Sequence, residues 1–308
     1  MPDTYLLSEP LLKVGCTLGE GPIFDERNSM LHFVDIVEKK VFHLNINTLE
    51  LDSEQHTEAV TCLALRKDQP GLACATAGGF AVLENGQLRD LVRVVSAEDL
   101  RYVRFNDGAL DATGHFFAGT VCYRKDGVDI PGRLWRYSVR DGSCLVVDEG
   151  PFTDSNGLGW APDGRTMYFT DSLKYVIYAY DYEHGELSNR RVFVNTLEAG
   201  GKEQMFPDGL CIDDQGGVWS AIWGGSKIIR FDPNGKPDSE IHIPSVLRVT
   251  ACTFGGPNSD QMYITTAHCG AMDGDATKQA QYPDSGHLFH IDLAGKYRGA
   301  KWRHHFPG

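Results

Sequence analysis

Glu20, Asn156 and Asp208 share one setting in this chain. Each is an oxygen-bearing side chain followed by glycine and then by apolar residues, in Leu18-Gly19-Glu20-Gly21-Pro22, Ser155-Asn156-Gly157-Leu158 and Phe206-Pro207-Asp208-Gly209-Leu210. A fourth copy, Arg104-Phe105-Asn106-Asp107-Gly108, adds a cation. Two carboxylates and one amide oxygen form a hard donor set that suits calcium, magnesium, manganese, iron(II) or zinc and leaves positions open for water and substrate. A divalent ion held in this way can polarise a carbonyl oxygen. Any one of these motifs alone reads as an ordinary turn dipeptide, because Asn-Gly and Asp-Gly are common in turns. Their weight comes from recurring at one phase of a larger pattern.

That pattern is an internal repeat with a period of roughly 40 to 50 residues, the range of propeller blades. Its inner half is an apolar strand, a turn rich in Asp and Gly, and a second apolar or aromatic strand. It occurs as GPIFDERNSMLHFVDI, TCLALRKDQPGLACAT, GALDATGHFFAGT, GLGWAPDGRTMYFTDS, GLCIDDQGGVWSAIW and ACTFGGPNSDQMYITTA. Each copy precedes an alternating segment that reads as an outer hairpin, from KVFHLNINTLEL in the first to HLFHIDLAGKYRG in the last. Four strands per repeat is one blade, and no stretch keeps a helical period over a dozen residues. The chain is therefore expected to be all-β, a six-bladed β-propeller forming a single domain over 1–308. The ring is expected to close by pairing of the N-terminal segment around Tyr5 to Val14 with the last repeat. In such a ring Glu20, Asn156, Asp208 and the Arg104–Gly108 motif all stand at the entrance of an innermost strand, so they converge on the axis.

The remaining composition narrows the function classes. A formal net charge of -13, with no basic stripe to offset it, argues against nucleic acid. No window approaches the roughly 18 apolar residues of a membrane span, and the N-terminus has neither the basic start nor the long apolar run of a signal peptide. The expected location is cytoplasmic. The eight cysteines are irregularly spaced and several lie in apolar runs, so core thiols are expected rather than disulfides. Neither HExxH nor GxSxG occurs. Ser155 reads as part of the Asn156 loop, and His304-His305 read as a solvated tail.

LGEGP, RFNDG, SNGLGWAPDG with the following YFTDS, and PDGLCIDDQGGVWSAIWGG resemble the senescence-marker-protein/regucalcin/gluconolactonase family, in the order that family uses and along nearly the whole chain. The resemblance implies one divalent ion at the axis held by Glu20, Asn156 and Asp208, with Arg104 and Asn106 contacting substrate. The AIWGG segment, Ala221 to Gly225, is closer to the microbial sugar-acid lactonases than to the animal regucalcins. Two positions depart from the animal pattern. Arg124 stands where those members carry an acidic stretch with a substrate-contacting glutamate, and His268 stands where an arginine is common.

The expected activity is metal-dependent hydrolysis of aldonolactones, such as glucono-, xylono- or arabinono-lactone, to the aldonic acids. Asp208 is the base the motifs supply at the axis, and a rival assignment gives the attack to water activated by the cation alone. The expected partner is a small sugar lactone, with the protein monomeric or weakly self-associating. Two other readings stand beside this one: a non-catalytic calcium-binding or scaffold propeller, and a propeller esterase acting on aryl esters or organophosphates.

Overall fold

The computed structural model describes residues 2–123, 127–128, 130–300 and 304–308. Six small antiparallel sheets stand in a ring, one for each repeat. Their innermost strands are Gly19–Asp25, Val60–Leu65, Val103–Leu110, Ser155–Trp160, Phe206–Ile212 and Arg248–Gly255, and each pairs outward with the second strand of its own inner hairpin. Every innermost strand is almost wholly buried, because neighbouring blades pack on both of its faces. Both sides of these strands are consequently apolar, which is why they read as short continuous hydrophobic runs. Between blades four, five and six the packing is carried by Trp160, Phe169, Trp219, Phe231, Met262 and Phe289.

All six innermost strands carry a bulge at the same phase. The ladder slips by one residue after Glu20, at Thr61, at Asn106-Asp107, at Asn156-Gly157, at Asp208-Gly209 and at Thr250. A bulge places two residues opposite one and re-aims a side chain. The glycines serve this geometry. A Cβ on Gly157 would strike the Leu210 backbone, and one on Gly209 would strike Ala251 of the next blade. Neither has positive φ, so what selects glycine at these two positions is close approach between strands and not turn chemistry.

Closure of the ring divides the N-terminal segment in two. Leu12 pairs with Leu288 in both directions, and Gly15 and Cys16 both donate to Gly286 O, so this stretch takes the fourth place in blade six. The preceding strand, Asp3–Leu6, instead adds in parallel to Pro237–His242 at the rim of blade five. The second half of the last expected outer hairpin is likewise not a strand of blade six. After Phe289–Asp292 the chain turns at Ala294-Gly295 and crosses to blade five, where Gly299 bridges Asp213.

The His304-His305 expectation is corrected. Phe306 is 1% exposed and pairs in parallel with Arg66, while Arg66 Nε donates to Gly308 O at 2.8 Å. Both histidines are half-buried against a cavity of about 540 Å³ at the far end of the channel. Arg66, buried in blade two, supplies the anchor that sequence pattern does not reveal. None of the eight cysteines is joined in a disulfide, seven of them are buried, and burial pushes the Cys16 and Cys74 thiols well up. Cys211 and Cys252 face each other across blades five and six with 3.4 Å between sulfurs. Among the described residues no helix is long and apolar enough to cross a membrane.

Candidate active site

The loop entering each functional strand is fixed from its own blade. Asp35, at the end of the neighbouring strand, accepts from Thr17 N at 2.7 Å and Leu18 N at 3.1 Å, setting the approach to Glu20. Asp171 does the same for Asn156 through Thr153 N and Asp154 N, at 2.9 and 3.0 Å. These two carboxylates satisfy backbone donors that would otherwise be orphaned at the channel mouth. The YFTDS motif thus owes its Asp to loop support and not to chemistry at the axis.

Glu20, Arg104, Asn106, Asn156 and Asp208 all line one cavity of about 300 Å³ at the axis, and each is at most 8% exposed. Asn156 Nδ2 donates to Ser172 Oγ at 3.0 Å, which turns Oδ1 inward. Among the described residues, Asn156 Oδ1 and Asp208 Oδ1 are buried acceptors with no hydrogen-bond partner. Among the described residues, Glu20 Oε2 accepts only a 3.2 Å bond from the following Gly21 N. Arg104 donates to Phe105 O at 2.9 Å and to Asn106 Oδ1, and Asn106 Nδ2 reaches Ser155 O at 2.8 Å. Ser155 Oγ is spent on Thr120 O, and the residue is fully buried, as befits a loop strut.

Two acidic residues that motif reading passed over belong to the same field. Asp154 lines the cavity, and Asp107 acts on both Glu20 and Asp208. Burial first, and then Asp107, push Glu20 up to about 8, against the pull of Gly21 N–H and Arg104. Burial and Glu20 push Asp208 well above the carboxylate range. Burial lowers the Arg104 guanidinium, and Asp154 and Glu20 oppose that shift. Both acids sit inside motifs already marked, Thr153-Asp154-Ser155-Asn156 and Asn106-Asp107-Gly108, so proximity in sequence was the available signal.

The donor set fits a divalent cation. Three carboxylates, Glu20, Asp154 and Asp208, line the cavity with one guanidinium, two inward oxygens have no partner among the described residues, and all the candidate donors are oxygen. Buried carboxylates at this density resist ionisation together unless a cation compensates them. Among the described residues, no three His, Cys, Asp or Glu side chains are grouped to hold a metal. The candidate set instead comprises two such residues and an amide.

The rim is apolar: Leu18, Leu173, Phe206, Trp223 and Met272 stand around the polar floor. Tyr123 completes one side, with the Arg104 guanidinium 5.8 Å from its ring centre. Arg124, the departure that follows it, lies outside the described residues. His268 turns away into its own loop, where Nδ1 accepts from Gly270 N at 3.0 Å.

Comparisons with known proteins agree with this architecture. Human regucalcin is 36% identical over 296 residues, spanning 93% of this chain and 94% of its own, and the zebrafish protein is 33% identical over 302 residues, spanning 92% and 95%. Among solved structures, a calcium-binding protein, regucalcin, from Agrobacterium tumefaciens superposes over the full length of both chains with a TM-score of 0.86 at 20% identity. A gluconolactonase from Xanthomonas campestris superposes over 83% of this chain and 85% of its own, with a TM-score of 0.68 at 23% identity. The family model described as SMP-30/Gluconolactonase/LRE-like region matches residues 18–268, from the loop before Glu20 to His268. With that span matched, and with full-length relatives above 30% identity, this lactonase-type propeller belongs to the SMP-30/gluconolactonase/LRE-like family.

Proposed function

We propose that this protein hydrolyses aldonolactones to aldonic acids in the cavity at the propeller axis, with a divalent cation bound there. The observation that carries this reading is the pair of buried, unpartnered oxygens, Asn156 Oδ1 and Asp208 Oδ1, beside Glu20 and the Arg104–Asn106 pair. Asn156, Asp208 and Glu20 are the residues that would hold the ion, whose Lewis acidity would polarise the lactone carbonyl. A purely structural ion has no use for a guanidinium and a second amide lining the same cavity, whereas a polyhydroxylated ring does.

The chain's own groups account for the rest of the reaction. Arg104 and Asn106, already locked to each other, present a preorganised donor edge to sugar hydroxyls. Asp208 takes a proton from the attacking water as the new carbon–oxygen bond forms. The bond from carbonyl carbon to ring oxygen breaks, and that proton passes to the departing ring oxygen, giving a hydroxy acid. Water consumed and ring opened balance without any further reactant.

The apolar rim lends some support to the alternative of aryl esters, since Phe206 and Trp223 would flank an aromatic leaving group. One experiment separates the readings: acid release from a panel of pentono- and hexono-lactones and one aryl ester, with chelated protein and Glu20→Ala as controls for spontaneous opening. Rapid, metal-dependent opening of a lactone, lost in both controls, supports the proposal. A rate above background only for the aryl ester replaces it with the esterase reading. Background rates throughout leave a cation-binding propeller.

A further inference from the structure

Arg248 stands at the start of the innermost strand of blade six, opposite Ala267, and is 8% exposed. Among the described residues no carboxylate acts on it; burial depresses its charged form, and Cys269 opposes that shift. Two other partners hold it. Its guanidinium lies over the Trp223 ring, 4.4 Å from the centre, and Nη1 donates to Ala271 O. Trp223 ends the second strand of blade five, and Ala271 precedes Met272; Trp223 and Met272 are both rim residues of the axial cavity.

The loop that carries Met272 is strained and made to measure. Met272 and Asp273 have φ of 46° and 59°, two successive left-handed residues without glycine. The next residue is Gly274, where a Cβ would overlap Arg248 Nη2. The turn is tied by Ala271 N to His268 O at 2.9 Å and Gly274 N to Ala271 O at 3.0 Å. A buried cation stacked on an indole is a strong directional contact, and the same guanidinium bonding the loop carbonyl joins two blades that share no covalent link there.

We propose that Arg248 is a positioning residue that fixes Trp223 and Met272 as one wall of the cavity mouth, and that this wall selects the substrate's non-reacting face. The wall is an aromatic ring next to a thioether. It accepts the C–H face of a small ring while the hydroxyl-bearing edge meets Arg104 and Asn106. The substrate-selecting part rests on the lactonase reading; the positioning part does not.

The test replaces Arg248 with Met, which keeps the stem and removes the guanidinium, and with Lys, which keeps charge without a planar stacking group. Hydrogen exchange by mass spectrometry reads the Ala271 and Gly274 amides directly and needs no substrate. The expected result for Arg248→Met is exchange at least about tenfold faster in 268–275, with the ladder of blade six unchanged. On the best lactone, KM rises about tenfold with kcat within about twofold, the signature of lost ground-state positioning. Arg248→Lys falls between. Trp223→Leu gives a similar KM rise, and combining it with Arg248→Met adds little, because both remove one wall.

Unchanged exchange in 268–275 overturns the positioning role. So does loss of protection spread evenly through blade six, which marks Arg248 as a general stabiliser. If lactones are opened but KM is unmoved, or the two substitutions add in full, the selecting role is overturned. If wild-type protein opens no lactone, the functional reading fails while the exchange experiment still decides the positioning. Should Arg248→Met fail to fold, Trp223→Leu alone decides both points: with the ring gone the guanidinium loses its seat, and exchange in 268–275 must quicken.

Discussion

Ser172 Oγ accepts a 3.0 Å hydrogen bond from Asn156 Nδ2, and that bond decides which end of the amide faces the channel axis. Ser172 is buried and belongs to the segment following Asp171, so the group that orients a candidate ligand comes from the same short stretch that fixes its loop. Partners of this kind typically change metal affinity by 10- to 100-fold when removed. Ser172→Ala is expected to weaken divalent-ion binding by about tenfold, with fold and melting temperature of the metal-free protein nearly unchanged. Isothermal titration with calcium, magnesium and manganese measures it; equal affinities for mutant and wild type would mean that the amide does not contact the ion.

Glu20 is disfavoured as an anion in the metal-free fold. Its folded pKa, about 8, lies above the unfolded value, so its contribution is fully present at low pH and is lost as pH rises toward 8. Glu20→Gln should therefore stabilise the metal-free protein at pH 7, by roughly 1–3 kcal/mol, while reducing the stabilisation that added divalent ion gives to wild type. Paired melting curves with chelator and with excess ion test both halves. A mutant less stable than wild type in chelator would remove the electrostatic argument.

Asp208→Asn separates holding an ion from moving a proton. An asparagine oxygen remains a donor, but it cannot take a proton from water. Turnover of the best lactone is expected to fall at least about 100-fold with ion still bound, as judged by titration. Turnover within a few-fold of wild type, ion bound, would return the attack to water activated by the cation alone.

Blade one carries an acid-labile cluster remote from the axis. His32 and His43 meet through their Nδ1 atoms at 2.7 Å, and Glu54 lies 3.6 Å from His43 and 3.5 Å from His56. Burial, then His43, lowers His32 to about 4, and burial lowers His43 and His56 as well. A folded pKa below the unfolded value means that the unfolded chain binds more protons between pH 6.5 and 4. Stability is present above pH 6.5 and is lost as pH falls toward 4, by up to about 3 kcal/mol for His32 alone. His32→Gln should flatten that slope in urea titrations across this window; an unchanged slope would place the acid sensitivity elsewhere.

Phe306 is 1% exposed and packs in the apolar cluster between blades two and three. Phe306→Ala is expected to cost about 3–5 kcal/mol through the cavity it leaves, read as a lower urea midpoint, with metal binding at the axis unaffected. A loss under about 1 kcal/mol would show that the terminal segment is not a working part of the core.

Repeat phase carried most of this fold into view, because strands with period-two alternation and apolar innermost runs follow directly from backbone geometry. It also brought Glu20, Arg104, Asn106, Asn156 and Asp208 to one cavity. What escaped it depended on tertiary partners. Gly157 and Gly209 read as turn residues, yet serve strand approach. The split of the N-terminal segment between blades five and six follows from which strand edges remain unpaired, a property of the assembled ring. The His304-His305 tail looked solvated because Arg66, its anchor, lies 242 residues from Gly308 in sequence.

The six bulges have a consequence for redesign. They give each blade one side chain at the break in its ladder, set apart from the strand pairing that holds the ring. Four blades use that position for Glu20, Asn106, Asn156 and Asp208, and two fill it with Thr61 and Thr250, whose hydroxyls cap carbonyls of Ala75 and Gly19. Those two threonines are the keys of this keyboard that carry no candidate ligand. Recoding them as Asp, Asn or His is the route to a different donor set, and at Thr250 the new side chain must replace the bond to the carbonyl before Glu20.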